Sequence, residues 1–395
     1  MATGIKAEIN PKLLVWARNS VGLSISSVAK KIKSSIQNLE DWETGKAKPT
    51  IPQLRKLAKL YKRPIAIFFL PEPPLTFDAM KDFRKAFDLE LVPQSPALFI
   101  EIRRAYYKRE IALELANEIQ EDIPFFTESI GISDDHDNIS DLVRNSLAVE
   151  IEKQFSWKDN YEAYNYWKEN IESKGVLVFQ TSHTSRIKVG EMRGFSISQN
   201  KLPVIVINSK DSISGKIFTL LHEFVHLLLH NAGICDLAIY EEPITDEEKI
   251  ETFCNMIAGG VLVPTKFILN EGIVRKQSSK ESWTVVEIDE LSKKYCVSQE
   301  VILRRLLILN KTTRRFYENK RVELLKYYKK LEEETKGGVP PYYRLVIRNN
   351  GSNFVKLVLN AYYQEAINTS QLSDFLGMKL KHLSKIENTI YGFTT

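Results

Sequence analysis

Apolar positions follow a helical period over most of the chain, and strand-like runs occur in one region only. Residues 97–120 predict a long amphipathic helix. The runs 175–180, 192–197 and 203–208 are short, are apolar or alternating, and are separated by polar turns. The sequence therefore predicts a mostly helical α+β protein with a three-stranded sheet. An edge strand of this sheet could hold an extended peptide by backbone pairing or could be an ordinary sheet edge, and the sequence does not separate the two.

The segment after the predicted sheet, residues 218–230, is apolar on nearly every side, which indicates a buried helix. Its apolar residues include Leu220, Leu221, Phe224, Val225, Leu227, Leu228 and Leu229. His222, Glu223 and His226 lie among them, and burying polar groups without partners is costly. These three side chains therefore need partners inside the protein.

The same three polar residues form the motif H-E-x-x-H. Because residues four apart share one face of a helix, His222 and His226 can bind a single ion. Glu223 follows the first histidine, where its carboxylate can reach a water molecule without binding the ion. This arrangement is typical of zinc metalloproteases, with Zn²⁺ as the cofactor and the glutamate as the general base. The alternative is a pair of core histidines with ordinary hydrogen-bond partners.

A zinc peptidase needs a third protein ligand. His230 continues the same helical face, but it lies one turn too far along to share an ion with the motif. Residues 245–248 predict a capping box that opens a second helix. On this helix we prefer Glu251 as the ligand over Glu247 and Glu248, which fall in the first turn on the solvent side.

The residues around Glu251 add further expectations. Asn255 lies one turn later and is expected to orient one of the histidines from behind. Residues 258–260 are small enough to let the two helices approach closely. Cys235 and Cys254 flank the site; we interpret them as buried apolar residues, with a sulfur ligand as the alternative.

The motif in residues 218–230 and the later segment 251–264 together resemble the ImmA/IrrE family of metallo-endopeptidases. The resemblance implies a zincin-like peptidase domain in which the two motif histidines and Glu251 bind zinc and Glu223 is the general base. Ile257 departs mildly from the phenylalanine that is usual at its position in the family.

Residues 11–70 resemble an Xre/Cro-type helix-turn-helix domain. The predicted core of its two central helices consists of Val28, Ala29, Ile32, Leu39 and Trp42. The segment that would enter the major groove, residues 35–43, contains Glu40, Asp41 and Glu43 but no lysine or arginine. Since carboxylates repel phosphates, the sequence leaves open whether this domain binds DNA.

Residues 367–387 repeat the same spacing near the other end of the chain, with Gly377 at the turn that Lys33 occupies in the first copy. The second helix of this copy is basic, and its candidate DNA-binding residues are Lys379, Lys381, His382 and Lys385. The alternative is a helical hairpin that only docks on the peptidase. Residues 291–306 form a third, weaker pattern of this kind, which we expect to close the peptidase domain.

Charge is distributed unevenly along the chain. Residues 1–70 carry 13 Lys and Arg against 4 Asp and Glu, and residues 311–395 carry 15 against 8. Because the net charge of the whole chain is +5, the intervening residues are net acidic. Basic ends fit a protein that contacts nucleic acid, and they fit equally well ends that dock on an acidic centre.

Length and cysteine usage set the remaining expectations. The 395 residues have room for two to four domains. We predict a helix-turn-helix domain at 1–72, a helical linker region at 73–135, a peptidase domain at 136–310 and a basic helical C-terminal domain at 311–395. Three cysteines, the absence of a signal peptide and the absence of a long apolar run predict a cytoplasmic protein without membrane contact.

The function predicted from these patterns is that of a zinc metallo-endopeptidase with a regulatory role, and the resemblance implies that its protein substrate is a partner transcriptional repressor. The alternative is a DNA-binding regulator, or the antitoxin-like member of a toxin–antitoxin module, whose zinc site is structural or inactive. Tyr240 and His183 are candidates for stabilising the oxyanion, and the sequence does not choose between them.

Overall fold

A computed structural model describes residues 6–73, 95–132, 135–230, 245–277, 279–334 and 340–392. The chain divides into two compact units. The first comprises residues 1–106 and the short segment 185–187, and the second comprises residues 107–184 and 188–395. The division falls within one long helix, Pro96–Glu118, where the sequence predicts a helix at 97–120. The four predicted domain boundaries remain predictions.

The first unit is built from short helices around an apolar core. They are α1 (Pro11–Asn19), α2 (Ile25–Ile32), α3 (Ile36–Glu43), α4 (Ile51–Tyr61), a 3-10 turn (Ile65–Phe69) and the start of α5 (Pro96–Glu118). Ser24, Ser35 and Thr50 cap α2, α3 and α4 by accepting a hydrogen bond from a backbone N–H in the first turn. The five core residues predicted for α2 and α3 are all buried.

The second unit surrounds a small sheet with helices. Before the sheet lie α6 (His136–Ser146), α7 (Ile151–Phe155) and α8 (Asn160–Glu172), and after it follow α9 (Ile213–Leu228), α10 (Asp246–Leu262), α11 (Thr265–Ile268), α12 (Gly272–Lys276), α13 (Val285–Tyr295), α14 (Gln299–Ile308) and α15 (Arg314–Glu334). The last helices are α16 (Tyr342–Asn350), α17 (Ser352–Tyr363), α18 (Thr369–Leu376) and α19 (Leu383–Tyr391), with a 3-10 turn at Leu380–His382.

The sheet consists of β1 (Leu177–Gln180), β2 (Gly194–Ile197) and β3 (Val204–Ile207), in the order β1-β3-β2. Each strand lies inside one of the three predicted runs. The central strand, β3, pairs antiparallel with β2 and parallel with β1. All residues of the three strands are buried, so both faces of the sheet are covered. The fold is a mostly helical α+β fold, as the sequence predicts.

Helix α10 ends against buried polar side chains that satisfy its last carbonyl groups. Arg144 donates to the carbonyl oxygen of Val261 at 2.8 Å, and Gln154 donates to that of Leu262 at 2.9 Å. Arg305 donates to the next carbonyl, that of Val263, at 3.0 Å. Because the C-terminal carbonyls of a helix have no partners within it, these contacts fix the position of α10 in the core.

The C-terminal helices of the second unit pack on strand β1 and on helix α8. The turn between α16 and α17 lies so close to β1 that a Cβ atom at Gly351 would be 2.5 Å from the carbonyl oxygen of Val178. The ring of Phe354 packs edge-on against that of Phe179, with centroids 5.9 Å apart. Helices α16 to α19 therefore belong to the same compact unit as the sheet, and DNA contact by the C-terminal copy remains a prediction.

None of the described helices combines the length and the apolar character that crossing a lipid bilayer requires.

Candidate metal centre

Helix α9, which carries the H-E-x-x-H motif, begins at a tightly built N-terminus. The Ser212 hydroxyl accepts a hydrogen bond from the backbone N–H of Gly215 at 3.1 Å. The Asp211 carboxylate accepts from the Ser212 N–H at 2.8 Å and pairs with Arg193 at 3.1 Å. A Cβ atom at Gly215 would lie 2.4 Å from that carboxylate, so a larger residue there would displace Asp211. These contacts set where α9 enters the core.

From Lys216 to Leu228 every residue of α9 is buried, as the apolar pattern predicts. The helix packs on β2 and β3 on one side and on α8 and α10 on others. His222 and Glu223 have no exposed surface, and His226 has almost none. The motif therefore lies inside the protein.

The two histidines of the motif meet Glu251 from the neighbouring helix α10. His222 Nε2 and His226 Nε2 are 3.1 Å apart. Glu251 reaches both rings, with Oε2 at 3.2 Å from His222 Nε2 and Oε1 at 3.0 Å from His226 Nε2. One ligand atom from each of the three residues lies within 4.8 Å of the other two.

The spacing of these atoms suits a tetrahedral zinc ion. With zinc–ligand bonds of about 2.0–2.1 Å and tetrahedral angles, neighbouring ligand atoms should be about 3.3 Å apart. The observed separations of 3.0–3.2 Å are close to that value. Two imidazoles and one carboxylate are also a ligand set that zinc prefers in catalytic sites, where the fourth position stays open. The residues present therefore fit a zinc ion.

Glu251 is held in the charged form that a ligand needs. Burial by itself would raise the pKa of its carboxyl group, but His222 and His226 outweigh that effect and lower the pKa to about 2. The helix that carries it opens with the predicted capping box between Thr245 and Glu248. Glu247 and Glu248 lie in its first turn and outside the cluster, as expected.

Glu223 lies beside this cluster but does not join it. Complete burial raises the pKa of its carboxyl group to about 8, while His226 favours the charged form. The Ser196 hydroxyl of strand β2 faces the same carboxylate and also favours its charge, although the two lie outside normal hydrogen-bond geometry. A buried carboxyl group next to three converging ligand atoms is placed to exchange a proton with a molecule bound there.

Comparison with known proteins agrees with this geometry. Residues 171–307 match the family model of the IrrE N-terminal-like domain, peptidase family M78. Residues 14–68 match a helix-turn-helix family model. The chain thus has a metallopeptidase-like domain that follows a helix-turn-helix domain, and the resemblance drawn from the motifs is confirmed. Neither the curated proteins nor the solved structures compared with the chain include a match.

One residue that positions the IrrE-like site was missed by the sequence analysis. Gly194 begins strand β2 directly against α9. A Cβ atom there would lie 2.5 Å from Thr219 Cγ2, 3.1 Å from the Val206 carbonyl oxygen and 3.4 Å from Glu223 Cγ. The glycine therefore lets the strand pass beside the helix at Glu223. A glycine inside a strand pattern signals such a close approach, and that signal was available in the sequence.

The two glycines of α10 do not have the predicted role. Residues 258–260 were expected to let α9 and α10 approach each other. Instead, a Cβ atom at Gly260 would lie 2.2 Å from Ser140 Oγ of helix α6, and one at Gly259 would contact Arg305 at 3.4 Å. The small residues make room for other neighbours of α10, because the face of a helix that packs closely depends on which helices surround it.

The remaining predicted site residues lie at or around the cluster. Asn255 is buried one turn after Glu251, and its orienting role remains a prediction. Cys254 is buried and outside the cluster; burial and the two neighbouring glutamates hold the pKa of its thiol well above the ordinary value, which keeps it a neutral apolar group. His230 lies just beyond α9, exposed. His183 is exposed as well, while Tyr240 and Cys235 fall outside the described residues.

One of the three acidic residues in the segment that would enter the major groove has a structural role within helix α3. Glu43 accepts two hydrogen bonds from Arg18 of α1, at 2.7 and 3.0 Å, and its side chain is only 6% exposed. It therefore ties α3 to α1 and does not face solvent. Glu40 remains exposed on α3, so the question of DNA contact rests on fewer acidic groups than the sequence suggested.

The C-terminal copy resembles the first one at its turn but not in its second helix. Gly377 and Lys33 both adopt the left-handed conformation at the end of the first helix of their pair. After Gly377, however, the chain forms a 3-10 turn, and α19 begins only at Leu383. The basic residues thus do not all lie on one helix, and the His382 ring packs on Tyr342 with centroids 4.7 Å apart. Lys379, Lys381 and Lys385 are exposed.

We predict that Gly194→Ala destabilises the protein by about 1–3 kcal/mol, because its new methyl group overlaps Thr219. Adding Thr219→Ser removes the Cγ2 atom and should restore part of the loss, while the contact with the Val206 carbonyl remains. Urea unfolding of the two single variants and the double variant measures this coupling. Gly190→Ala is the matched control, since nothing lies within 4 Å of a Cβ atom there. Equal losses for Gly194→Ala alone and with Thr219→Ser would contradict the argument.

Proposed function

We propose that this protein is a zinc metallo-endopeptidase with a regulatory role. The observation that carries the proposal is the convergence of His222, His226 and Glu251 within 4.8 Å, beside a buried glutamate on the same helix. The match of residues 171–307 to a metallopeptidase family supports it independently. A purely structural zinc site would need a closed ligand set, and the described residues supply three ligands to the cluster.

Each residue of the site has a distinct role in this proposal. His222, His226 and Glu251 hold the ion, and zinc bound there supplies Lewis acidity towards a water molecule and the scissile carbonyl. Glu223 takes a proton from the attacking water and passes it to the leaving amine as the peptide bond breaks. Asn255, one turn from Glu251, steadies the ligands from behind.

The substrate in this proposal is a protein, specifically a repressor-like regulator. The candidate site belongs to a domain that matches a metallopeptidase family, and the helix-turn-helix domain at residues 14–68 is of a kind that occurs in transcriptional regulators. Combining the two in one chain suits an enzyme that acts on a DNA-binding partner. The edge strand β2 passes beside Glu223 at Gly194 and could align an extended peptide there. We place the activity in the cytoplasm, because the two described cysteines, Cys254 and Cys296, are free thiols.

The first prediction from this proposal concerns metal content. Elemental analysis of the purified chain should find about one zinc per molecule, as expected for a single His2Glu site. His226→Ala and Glu251→Ala should each remove most of it, while His230→Ala, the matched control just beyond α9, should retain it. Circular dichroism checks that the variants are folded. A native chain that stays free of zinc after dialysis against the ion would exclude the site.

The second prediction separates proton transfer from metal binding. Glu223→Gln keeps the shape of the side chain but cannot act as a base, so it should retain zinc and lose at least about 100-fold in cleavage rate. The measurement is mass spectrometry of new protein N-termini in cells whose own copy is replaced by the variant. His230→Gln serves as the control that should cleave normally. Wild-type cleavage by Glu223→Gln would show that this residue is not the base.

A second candidate function is DNA binding by a regulator or antitoxin-like protein whose zinc site is inactive. The observation that favours it is the basic surface after Gly377, where Lys379, Lys381 and Lys385 are exposed. The helix-turn-helix match at residues 14–68 supports contact with DNA by the other end of the chain. Both functions can coexist in one molecule, because they use different residues.

For the DNA-binding candidate, we predict that Lys379→Ala combined with Lys381→Ala weakens binding to the DNA upstream of the protein's own gene. Loss of two phosphate contacts should reduce the slope of log affinity against log salt by about two. Gel shifts at several salt concentrations measure this slope. Lys311→Ala combined with Arg315→Ala removes the same charge elsewhere and is the control. An unchanged slope for Lys379→Ala combined with Lys381→Ala would show that the C-terminal copy does not contact the DNA.

A further inference from the structure

A cavity of about 830 Å³ lies in the second unit, away from the candidate metal centre. Helix α8, the end of β1 and the first turn of α9 form one wall, and α16, α17 and α19 form the other. Five basic residues line it, namely Lys168, Lys216, Arg344, Arg348 and Lys356, against only two acidic ones, Glu169 and Glu172. The cavity is therefore positively charged.

The two acidic residues of the lining do not pair with Lys216 or Arg348. Glu172 pairs with Lys168 at 2.9 Å and accepts a hydrogen bond from the backbone N–H of Ser352 at 3.1 Å. Its negative charge is therefore balanced by Lys168. Glu169 is exposed at the rim. Within the described part of the chain, neither Lys216 nor Arg348 is within 4.0 Å of a carboxylate oxygen.

Lys216 is nonetheless buried, and Arg348 is half-buried. Lys216 is 7% exposed and donates only to the neutral carbonyl oxygen of Ser209, at 2.8 Å. The Nε atom of Arg348 is buried and has no hydrogen-bond partner among the described residues. Burial, together with the charge of Arg348, lowers the pKa of Lys216 to about 8, although Asp211 opposes the shift. Two cations that repel each other, one buried and the other half-buried, are costly unless an anion joins them.

The floor of the cavity offers a second unused polar group. Gln180, the last residue of β1, is 4% exposed and lines the cavity. Its amide nitrogen donates to the Tyr164 hydroxyl at 2.9 Å, and its amide oxygen has no partner among the described residues. A buried amide oxygen of this kind requires a donor from water or from a ligand. A hydroxyl or amino group on a bound molecule would supply that donor.

We propose that this cavity binds a small phosphorylated metabolite of about nucleotide size. Arg348 and Lys216 contact the phosphate, the exposed Lys356 attracts it at the rim, and Gln180 accepts a hydrogen bond from the rest of the molecule. The volume lies within the range of about 300–1,000 Å³ that is usual for small-molecule sites. Apolar side chains in the lining, Ile213, Ile347 and Ile390, provide a surface for a planar ring.

Such a ligand would connect the peptidase part of the unit with its C-terminal helices. Lys216 lies on α9, the helix that also carries the H-E-x-x-H motif, whereas Arg348 lies on α16. A phosphate held by both would strengthen the packing between the two walls. The site uses none of the residues of the candidate metal centre, so it is independent of the proposed peptidase activity.

The test is binding of adenosine monophosphate to the full chain, measured by calorimetry and by thermal unfolding at constant ionic strength. Adenosine monophosphate should bind and raise Tm, inorganic phosphate should do so more weakly, and adenosine should not bind detectably. Arg348→Gln should weaken binding at least about tenfold, because a charge-assisted hydrogen bond is lost. Arg315→Gln, an exposed substitution of the same type, should leave the affinity unchanged.

Two further measurements keep the test decisive. Without ligand, Arg348→Gln should unfold at the wild-type temperature or above it, since it removes one of two repelling charges. If this variant does not fold, Lys356→Gln at the exposed rim replaces it and should weaken binding a few-fold. The proposal is overturned if the wild type shows no Tm shift beyond that of chloride, or if both cavity variants bind as tightly as the wild type. It is also overturned if binding is lost on Lys379→Ala with Lys381→Ala, which would place the anion elsewhere.

Discussion

The burial of three polar side chains on helix α9 is the constraint on which the second unit depends. His222, Glu223 and His226 lie in a helix that is covered on every side, where an unpartnered polar group costs several kcal/mol. Glu251 offsets the cost of burying the two histidines by bringing one carboxylate oxygen to each imidazole. A cation at the point where these atoms converge would reduce that cost further. The helices around α9 must therefore be placed accurately, since a shift of one ångström would break the cluster.

The contacts that fix these helices lie away from the cluster itself. Helix α10 is held at its C-terminal end by Arg144, Gln154 and Arg305, which bind its last carbonyls about 15 Å along the helix from Glu251. Strand β2 is held against α9 by the absence of a side chain at Gly194. Buried hydrogen bonds of this kind are directional, so they determine the rotation and the depth of a helix where apolar packing alone would allow it to slide. The site thus rests on a polar framework inside an apolar core.

Local sequence patterns predicted the individual helices and strands, whereas their pairing and packing depend on long-range contacts that the patterns do not contain. The periodicity of residues 218–230 and the capping box at Thr245 each depend on neighbours within four residues, and the structure has a helix at both places, although the first begins at Ile213 and ends at Leu228, before His230. The parallel pairing of β1 with β3 joins residues 27 positions apart, and the Arg18–Glu43 pair joins residues 25 apart. A single sequence contains no signal for such pairings. For the same reason the glycines of α10 were assigned to the wrong neighbour, because a small residue shows that something lies close but not what it is.

Charge, in contrast, was informative only as a total. The basic C-terminal region was consistent with DNA binding or with docking on an acidic centre, and the described structure places its basic residues in two environments, neither of which is an acidic centre. Arg348 lines a cavity together with Lys216, while Lys379 and Lys381 face solvent. A cation in bulk water costs nothing to keep and contacts phosphates through weak, salt-dependent attraction, whereas a buried cation is unfavourable until an anion reaches it. The pair Lys216 and Arg348, of which Lys216 is buried, is therefore the more specific of the two indications that this protein recognises a phosphate.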